Sequence, residues 1–237
     1  MLTILYQDDY LVSVDKPAGL LVHRTGLDAG ETRFALQLLR DQLGRPVWPA
    51  HRLDKGTSGV LLFALDADTA RALGLAFEHG EGLRKSYHAV VRGWPADAGR
   101  IDHPLKRLPD DMRQPRTEVQ AARTDYQTLV HYSLPLPQGH FATTRCALVA
   151  LEPHTGRRHQ LRRHLKHIAH PIVGDATHGK GPLNRALAER LGLQRLWLHA
   201  SRLRLTHPVT QAPLDIQAPL SSAWDLWRTW THPAPTA

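Results

Sequence analysis

The sequence predicts an α+β or mixed α/β fold, and three observations lead there. Apolar runs of strand length are interleaved irregularly with stretches of helical periodicity, which fits neither a helical bundle nor a strict βαβ repeat. The 237 residues suit one large domain or one domain with a lobed body. A content of 42% hydrophobic and 22% charged residues suits a packed core rather than a disordered chain or a fibre. Residues 1–230 are read as a single domain, with 231–237 (Thr-His-Pro-Ala-Pro-Thr-Ala) as a frayed, flexible tail.

Ile4–Tyr6 and Leu11–Val14 are β-prone runs around Asp8-Asp9 and read as a hairpin. Asp15-Lys16-Pro17-Ala18-Gly19 stops its second strand. Phe34, Leu38, Leu39 and Leu43 recur at helical spacing, so Glu31–Leu43 is predicted helical, closed by Gly44 and Pro46. Gly59–Leu65 is a continuous apolar run, as expected of a strand covered on both faces. Asp66 or Asp68 caps a following helix that runs to about Glu78. Lys85–Arg92 is a strand ended by Gly93-Trp94-Pro95, and Lys106–Thr117, rich in charge and proline, is an exposed loop. Thr143–Leu151 is strand-like, and Gly156–Ala169 is helical with Leu161, Leu165, Ile168 and Ala169 on one face. Leu196–Leu205 and Leu214–Ile216 are further strands, and Ser221–Thr229 is a closing helix.

Composition limits the function classes. The single cysteine, Cys146, excludes an intrachain disulfide and any zinc site needing two cysteines of this chain. Its apolar neighbours, Ala147, Leu148 and Val149, make it a small core residue, and a reducing cytoplasm fits. The N-terminus meets Asp8 and Asp9 without a basic region, so no secretory signal is expected. No apolar run reaches the roughly 18 residues of a membrane span. Thirty basic against 22 acidic residues give a formal charge of +8, which favours a polyanionic partner such as nucleic acid.

Four segments carry the candidate chemistry. His51-Arg52-Leu53-Asp54-Lys55-Gly56-Thr57-Ser58-Gly59 lies between a proline-bearing stretch and a buried strand, where a scaffolded loop is a favoured place for a reactive group. Taken alone, it reads as a turn whose Asp54 caps local backbone groups. Residues 155–167 hold five Lys or Arg and no acid. On a helix, Arg158 and Arg162 are one turn apart beside the Leu161/Leu165 stripe, placed to fork onto a carboxylate or a phosphate. Their repulsion calls for an anion or an acid from elsewhere. Arg84–Gly93 places Tyr87 on one strand face with Lys85 and Ala89. Trp197–Ser201 offers an apolar wall, with Leu198 facing a site.

Taken together and in this order, these segments resemble the RluA-type pseudouridine synthases, over nearly the whole chain from Asp15-Lys16-Pro17-Ala18-Gly19 to His207-Pro208. The His51–Asp54 loop, Gly156-Arg157-Arg158-His159-Gln160-Leu161-Arg162 and His170-Pro171-Ile172-Val173-Gly174-Asp175 carry the match, together with Val22-His23-Arg24 and Tyr87–Trp94. The resemblance implies the pseudouridine synthase fold, a central, mostly antiparallel mixed sheet flanked by helices and loops. It also implies isomerisation of uridine to pseudouridine in structured RNA. Within the family the match is closest to a branch acting on tRNA at uridine 65, and ribosomal RNA is the alternative substrate. An N-terminal RNA-binding domain of the S4 type, as some relatives carry, is not expected. By motif position, Asp54 matches the catalytic aspartate, Tyr87 the tyrosine tied to the C5 proton, Arg162 the partner of that aspartate, and Arg52 the arginine linked to base flipping. His51 and Leu198 complete the substrate-facing set.

This chemistry needs no cofactor and no metal, because neither redox change nor transfer to a second molecule occurs. A carboxylate can attack the ribose C1′ or assist glycal formation, and the sequence leaves both routes open. A paired guanidinium favours its ionised form. The target base has to leave its stack, at a cost of a few kcal/mol. Basic side chains hold the RNA meanwhile, and Arg157, Arg158, Arg163, Lys166 and Lys180 are the phosphate-contact candidates. No membrane and no obligate protein partner is expected, and a monomer is the default. Two rivals stand beside this reading. A non-catalytic RNA-binding module explains the charge but not an acid inside a basic loop. A metal-dependent hydrolase could use His164, His167 and His170, three apart, but their neighbours are cationic and no carboxylate accompanies them.

Overall fold

The computed structural model describes residues 1–23, 30, 32–80, 82–108 and 118–232. The first lobe holds β1 (Thr3–Gln7), β2 (Leu11–Lys16), α1 (Ala35–Leu43), β3 (Trp48–Pro49), β4 (Ser58–Ala64) and α2 (Ala67–His79). Next come β5 (Arg84–Arg92), β6 (Ala98–Asp102), β7 (Leu105–Lys106), β8 (Val119–Gln120), β9 (Arg123–Leu134) and β10 (Thr144–Pro153). The chain continues through α3 (Gln160–His167), α4 (Gly181–Leu191), β11 (Leu198–Thr206), β12 (Pro213–Gln217), a 3₁₀ helix over Ser222–Trp230 and β13 (Thr231–His232). The main sheet runs β1-β2-β4-β11-β5-β10-β9-β13, with β12 on β11, β3 on β4 and β6 on β9; β7 and β8 form a separate ribbon.

Among the described strands every pairing is antiparallel except β4 with β11, which matches His199 to Ser58 and Ala200 to Gly59. This is the mostly antiparallel mixed sheet of an α+β fold. The parallel junction needs a glycine. Gly59 has φ +108, and a Cβ there would lie 2.1 Å from the Ala200 carbonyl oxygen.

Both faces of the sheet are covered, which explains its nearly continuous apolar strands. On one face of the first lobe, Val12, Val14, Leu61 and Phe63 pack with Ala35 and Leu39 of α1. On the other, Leu11, Val60, Leu62 and Ala64 pack with Leu73 of α2 and Leu203 and Leu205 of β11. The second lobe repeats the plan. Ala89, Val91, Ala147 and Val149 meet Leu161 and Leu165 of α3, while Val90 and Cys146 meet Leu183, Leu187 and Leu191 of α4 with Trp224 and Trp227. Cys146 is thus a core residue. Asp66 is the cap of α2: its carboxylate accepts from the Thr69 backbone N–H at 2.8 Å and from the Thr69 hydroxyl at 2.7 Å.

Several boundaries differ from the sequence expectation. Helix α1 begins at Ala35, and Glu31, expected to start it, lies outside the described residues. Helix α3 begins at Gln160 rather than Gly156, because His159 adopts a left-handed backbone with φ 55 that breaks the helical path. Arg158 therefore sits in the preceding turn and does not share a helix face with Arg162. Thr231 and His232, expected in the tail, pair with Tyr132 and His131 of β9; 233–237 lie outside the described residues. Most of the Lys106–Thr117 loop also lies outside them, and Lys106 itself is in β7.

Candidate active site

The loop joining β3 to β4 carries Asp54, and its backbone is tied down from below. Lys16 is fully buried at the end of β2, and its Nζ donates to the carbonyls of Pro17 (2.9 Å), Leu20 (2.7 Å) and Lys55 (3.2 Å). Burial pulls its amine down to about 7, against the opposing charge of Asp54. The Gly19 N–H also donates to the Lys55 carbonyl, at 2.8 Å. Leu53 is buried in the first-lobe core and Thr57 N–H donates to the Asp54 carbonyl at 3.0 Å. With its neighbours fixed, Asp54 is left half-buried at the mouth of a cavity.

Helix α3 brings the counter-charge. Leu161 and Leu165 sink into the second-lobe core, and Gln160 clamps the preceding turn. Its Oε1 accepts from the Thr155 hydroxyl (2.6 Å) and the Arg157 N–H (3.0 Å), while its Nε2 donates to the Arg123 carbonyl and the Thr124 hydroxyl, each at 3.0 Å. Arg162 then projects across to the loop, and its Nη1 donates to Asp54 Oδ2 at 2.9 Å. The other edge of the guanidinium is held by Asp175, with Nε to Oδ2 at 2.7 Å and Nη2 to Oδ1 at 2.8 Å. Asp175 Oδ1 also accepts from the N–H groups of Thr177 (2.9 Å) and His178 (2.8 Å).

These bonds decide the charges. Burial penalises the Arg162 cation, but its bonds to Asp175 and its attraction to Asp175 and Asp54 outweigh that penalty and leave its pKa above the ordinary guanidinium value. Burial alone would raise the Asp175 carboxyl. Hydrogen bonds from Arg162 and from the His178 backbone hold it below its usual range instead.

The cavity, of about 260 Å³, is lined by Asp54, Arg162, Tyr87, His51, Arg52, Arg157 and Leu198, with Lys85, Phe77, His159 and Gln160 beside them. Tyr87 stands on β5 between Leu151 and Ala200 of the neighbouring strands. Burial, and then the charge of Asp54, push its phenol well above the ordinary value, so it stays protonated at neutral pH. His51 stacks on Phe77 with centroids 4.7 Å apart, and its Nε2 accepts from the Leu62 N–H at 3.2 Å. Burial pulls it down to about 3, so it is neutral.

Seven of the eleven residues singled out from sequence thus share one cavity. Arg158, Arg163, Lys166 and Lys180 are not in its wall: Arg163 donates to the Lys106 carbonyl at 2.9 Å, and Lys166 and Lys180 are exposed. In the sequence Asp175 is only the last residue of the His170–Asp175 motif, and its partner lies 13 residues away on α3, so no short-range spacing reveals the pairing. His159 and Gln160 were likewise in plain view inside the Arg-rich segment without an assigned task.

The histidines of the metal reading engage other groups. His164 bonds the Thr124 hydroxyl (2.9 Å) and the His103 carbonyl (3.0 Å), His170 bonds the Arg92 carbonyl (2.8 Å), and His167 stacks on His103. Among the described residues no group of three or more His, Cys, Asp or Glu gathers to hold a metal ion.

Comparison with known proteins agrees with this fold. The family model described as RNA pseudouridylate synthase matches residues 10–167. The chain is 52% identical over 228 residues to tRNA pseudouridine synthase C of Vibrio cholerae, covering 94% of this chain and 93% of that one. It is 50% identical over 228 residues to the protein of the same name from Salmonella typhi, covering 94% and 87%. Among solved structures it resembles human RNA pseudouridylate synthase domain containing 4, with TM-score 0.70, 30% identity and coverage of 95% and 93%. It also resembles human RNA pseudouridylate synthase domain containing 1, with TM-score 0.75, 26% identity and coverage of 100% and 91%.

Proposed function

The chain belongs to the RNA pseudouridylate synthase family, in its RluA-type branch, and we propose that it isomerises one uridine of tRNA, position 65, through Asp54. The observation that carries the catalytic assignment is the Asp54–Arg162 pair, 2.9 Å long, at the mouth of a cavity that also holds Tyr87. The tRNA assignment follows relatives that are about half identical over nearly the whole chain and are named tRNA pseudouridine synthase C.

In the reaction the C1′–N1 bond breaks, the uracil turns, and C1′ bonds to C5. Asp54 stabilises the ribose, either by adding to C1′ or by assisting glycal formation. In the first route its oxygen forms a bond to C1′ as N1 departs with the bonding pair, and that bond breaks again when C5 attacks. Arg162 holds and aims the carboxylate. The C5 proton then passes to water and N1 takes one up, so the net change is an isomerisation, and Tyr87, a phenol rather than a phenolate, hydrogen-bonds the water that carries the C5 proton away. The extruded base enters between Leu198 and the Tyr87 ring, with Arg52 and Arg157 at the rim. The protein works as a monomer in the cytoplasm. Among its described residues no helix is long and apolar enough to cross a membrane.

The test is tritium release from tRNA labelled at uracil C5, with pseudouridine mapped afterwards. Wild type should release tritium and mark position 65, and Asp54→Ala should bind tRNA without turnover. Full turnover in Asp54→Ala would remove that residue from the chemistry. Marking of ribosomal RNA instead would overturn the substrate.

A further inference from the structure

Arg162 accounts for only one oxygen of Asp54. The other, Oδ1, faces His159 Nε2 at 3.8 Å. His159 Nδ1 in turn stands 3.1 Å from His178 Nε2. The backbone N–H of His178 donates to Asp175, and Asp175 grips Arg162. Asp54, Arg162, Asp175, His178 and His159 therefore form a closed ring around the two carboxylate oxygens. We propose that His159 and His178 are a positioning pair that presents a neutral N–H to Oδ1 of Asp54 and sets the direction in which that oxygen meets the ribose. The proposal rests on Asp54 as the reacting carboxylate.

The backbone supports it. His159 has φ 55 and ψ 26, a left-handed conformation that is costly for a residue with a Cβ. It occupies the N-cap position of α3 yet makes no side-chain cap hydrogen bond, so the strain is not offset by capping. What the left-handed turn achieves is placement: the ring joins the cavity wall and faces Asp54. Strained backbone concentrates at functional sites.

Proton placement follows from the neighbours. Burial takes His159 down to about 4 despite the nearby Asp54 charge, and burial lowers His178 too, so both rings are neutral near pH 7. Each then has one N–H and one lone pair, and the 3.1 Å contact uses one of each. Were His159 the donor there, its Nε2 lone pair would face a carboxylate. The favourable arrangement has His178 Nε2 donating to His159 Nδ1, which leaves the His159 proton on Nε2, aimed at Oδ1. At 3.8 Å the N–H does not yet bond Oδ1. Oδ1 is left as the oxygen open to substrate, and a closure of about 1 Å would complete the hydrogen bond.

The experiment is single-turnover tritium release at saturating tRNA, with tRNA affinity and melting temperature measured on the same proteins. His178→Phe, which keeps a ring and loses the donor, should slow turnover about tenfold while affinity stays within about twofold of wild type. His178→Gln, which keeps an N–H donor, should recover most of the rate. His159→Asn, which tolerates the left-handed backbone but cannot reach, should match His178→Phe, and combining the two should cost no more than either. Wild-type turnover in His159→Asn, or failure of Gln to improve on Phe, overturns the pair. An Asp54→Ala control separates the causes. If it is inactive while His178→Phe is unimpaired, only the histidine assignment falls. If Asp54→Ala is active, the reading beneath it falls as well.

Discussion

Asp175 holds Arg162 side-on through two hydrogen bonds of 2.7 and 2.8 Å, and so leaves the guanidinium only its Nη1 edge for Asp54. One buried acid thus decides where the cation points. Asp175→Asn keeps the shape but puts an amide N–H where Arg162 needs an acceptor. We expect kcat to fall about a hundredfold with tRNA affinity little changed, since misplacing a group by an ångström costs about that much. Breaking a buried pair should also cost about 3 kcal/mol in urea denaturation. Unchanged kcat would show that Asp54 aims itself.

The same acid sets a pH window. Its folded pKa is held below the ordinary 3.8 by the Arg162 bonds, against the cost of burial. Its contribution to stability is therefore fully present above about pH 4 and is lost as pH falls through the folded value. The urea midpoint of wild type should drop more steeply than that of Asp175→Asn as pH is taken below about 4. Parallel curves would mean that Asp175 carries no such linkage.

Tyr87 should not contribute an alkaline limb. Burial and the Asp54 charge push its phenol up, so no ionisation of Tyr87 occurs between pH 6 and its ordinary value of 10.0. Tyr87→Phe should lower the rate by roughly 10²-fold or more and leave the shape of the pH–rate curve over that range unaltered. A limb present in wild type and absent in the variant would contradict this.

Gly59→Ala tests the parallel junction. The new methyl would lie 2.1 Å from the Ala200 carbonyl oxygen, on a backbone with φ +108, so β4 and β11 would have to part. A loss of at least about 2 kcal/mol is expected in equilibrium denaturation, with activity falling in step. A stable, active variant would mean that the junction yields easily.

The basic residues divide by position. Lys166 and Lys180 are exposed outside the cavity wall, whereas Arg157 lines it. Replacing a phosphate contact should weaken tRNA binding and reduce the log–log salt slope by about one. Binding measured from 50 to 200 mM salt sorts the candidates, and a slope unchanged in Lys166→Ala takes that residue out of the interface.

What the sequence revealed, and what it hid, follows from range. The His51–Asp54 loop and the Arg162 helix were legible because each is a local pattern whose meaning the family resemblance supplies. Strand β4 was legible as an unbroken apolar run because α1 and α2 cover both its faces. Strand β9 was not picked out: Arg123–Leu134 is half exposed and mixes Asp125, Gln127 and His131 into its alternation. Helix α4 left a signal that was not used, with Pro182 near its start and Leu183, Leu187 and Leu191 four apart. The early start assigned to α3 assumed that periodicity continues through His159, where the backbone turns left-handed.

The β4–β11 junction, the one parallel strand pairing among the described strands, matches two residue pairs, Ser58 with His199 and Gly59 with Ala200, four and five residues beyond Asp54. Asp54 is mounted on one side of that seam, while Arg162 rides on a helix seated against the other. A small shear there would part the carboxylate from its cation with most of the secondary structure still in place. Activity should then fade at lower denaturant than circular dichroism does, which makes the Asp54–Arg162 contact the molecule's own gauge of alignment.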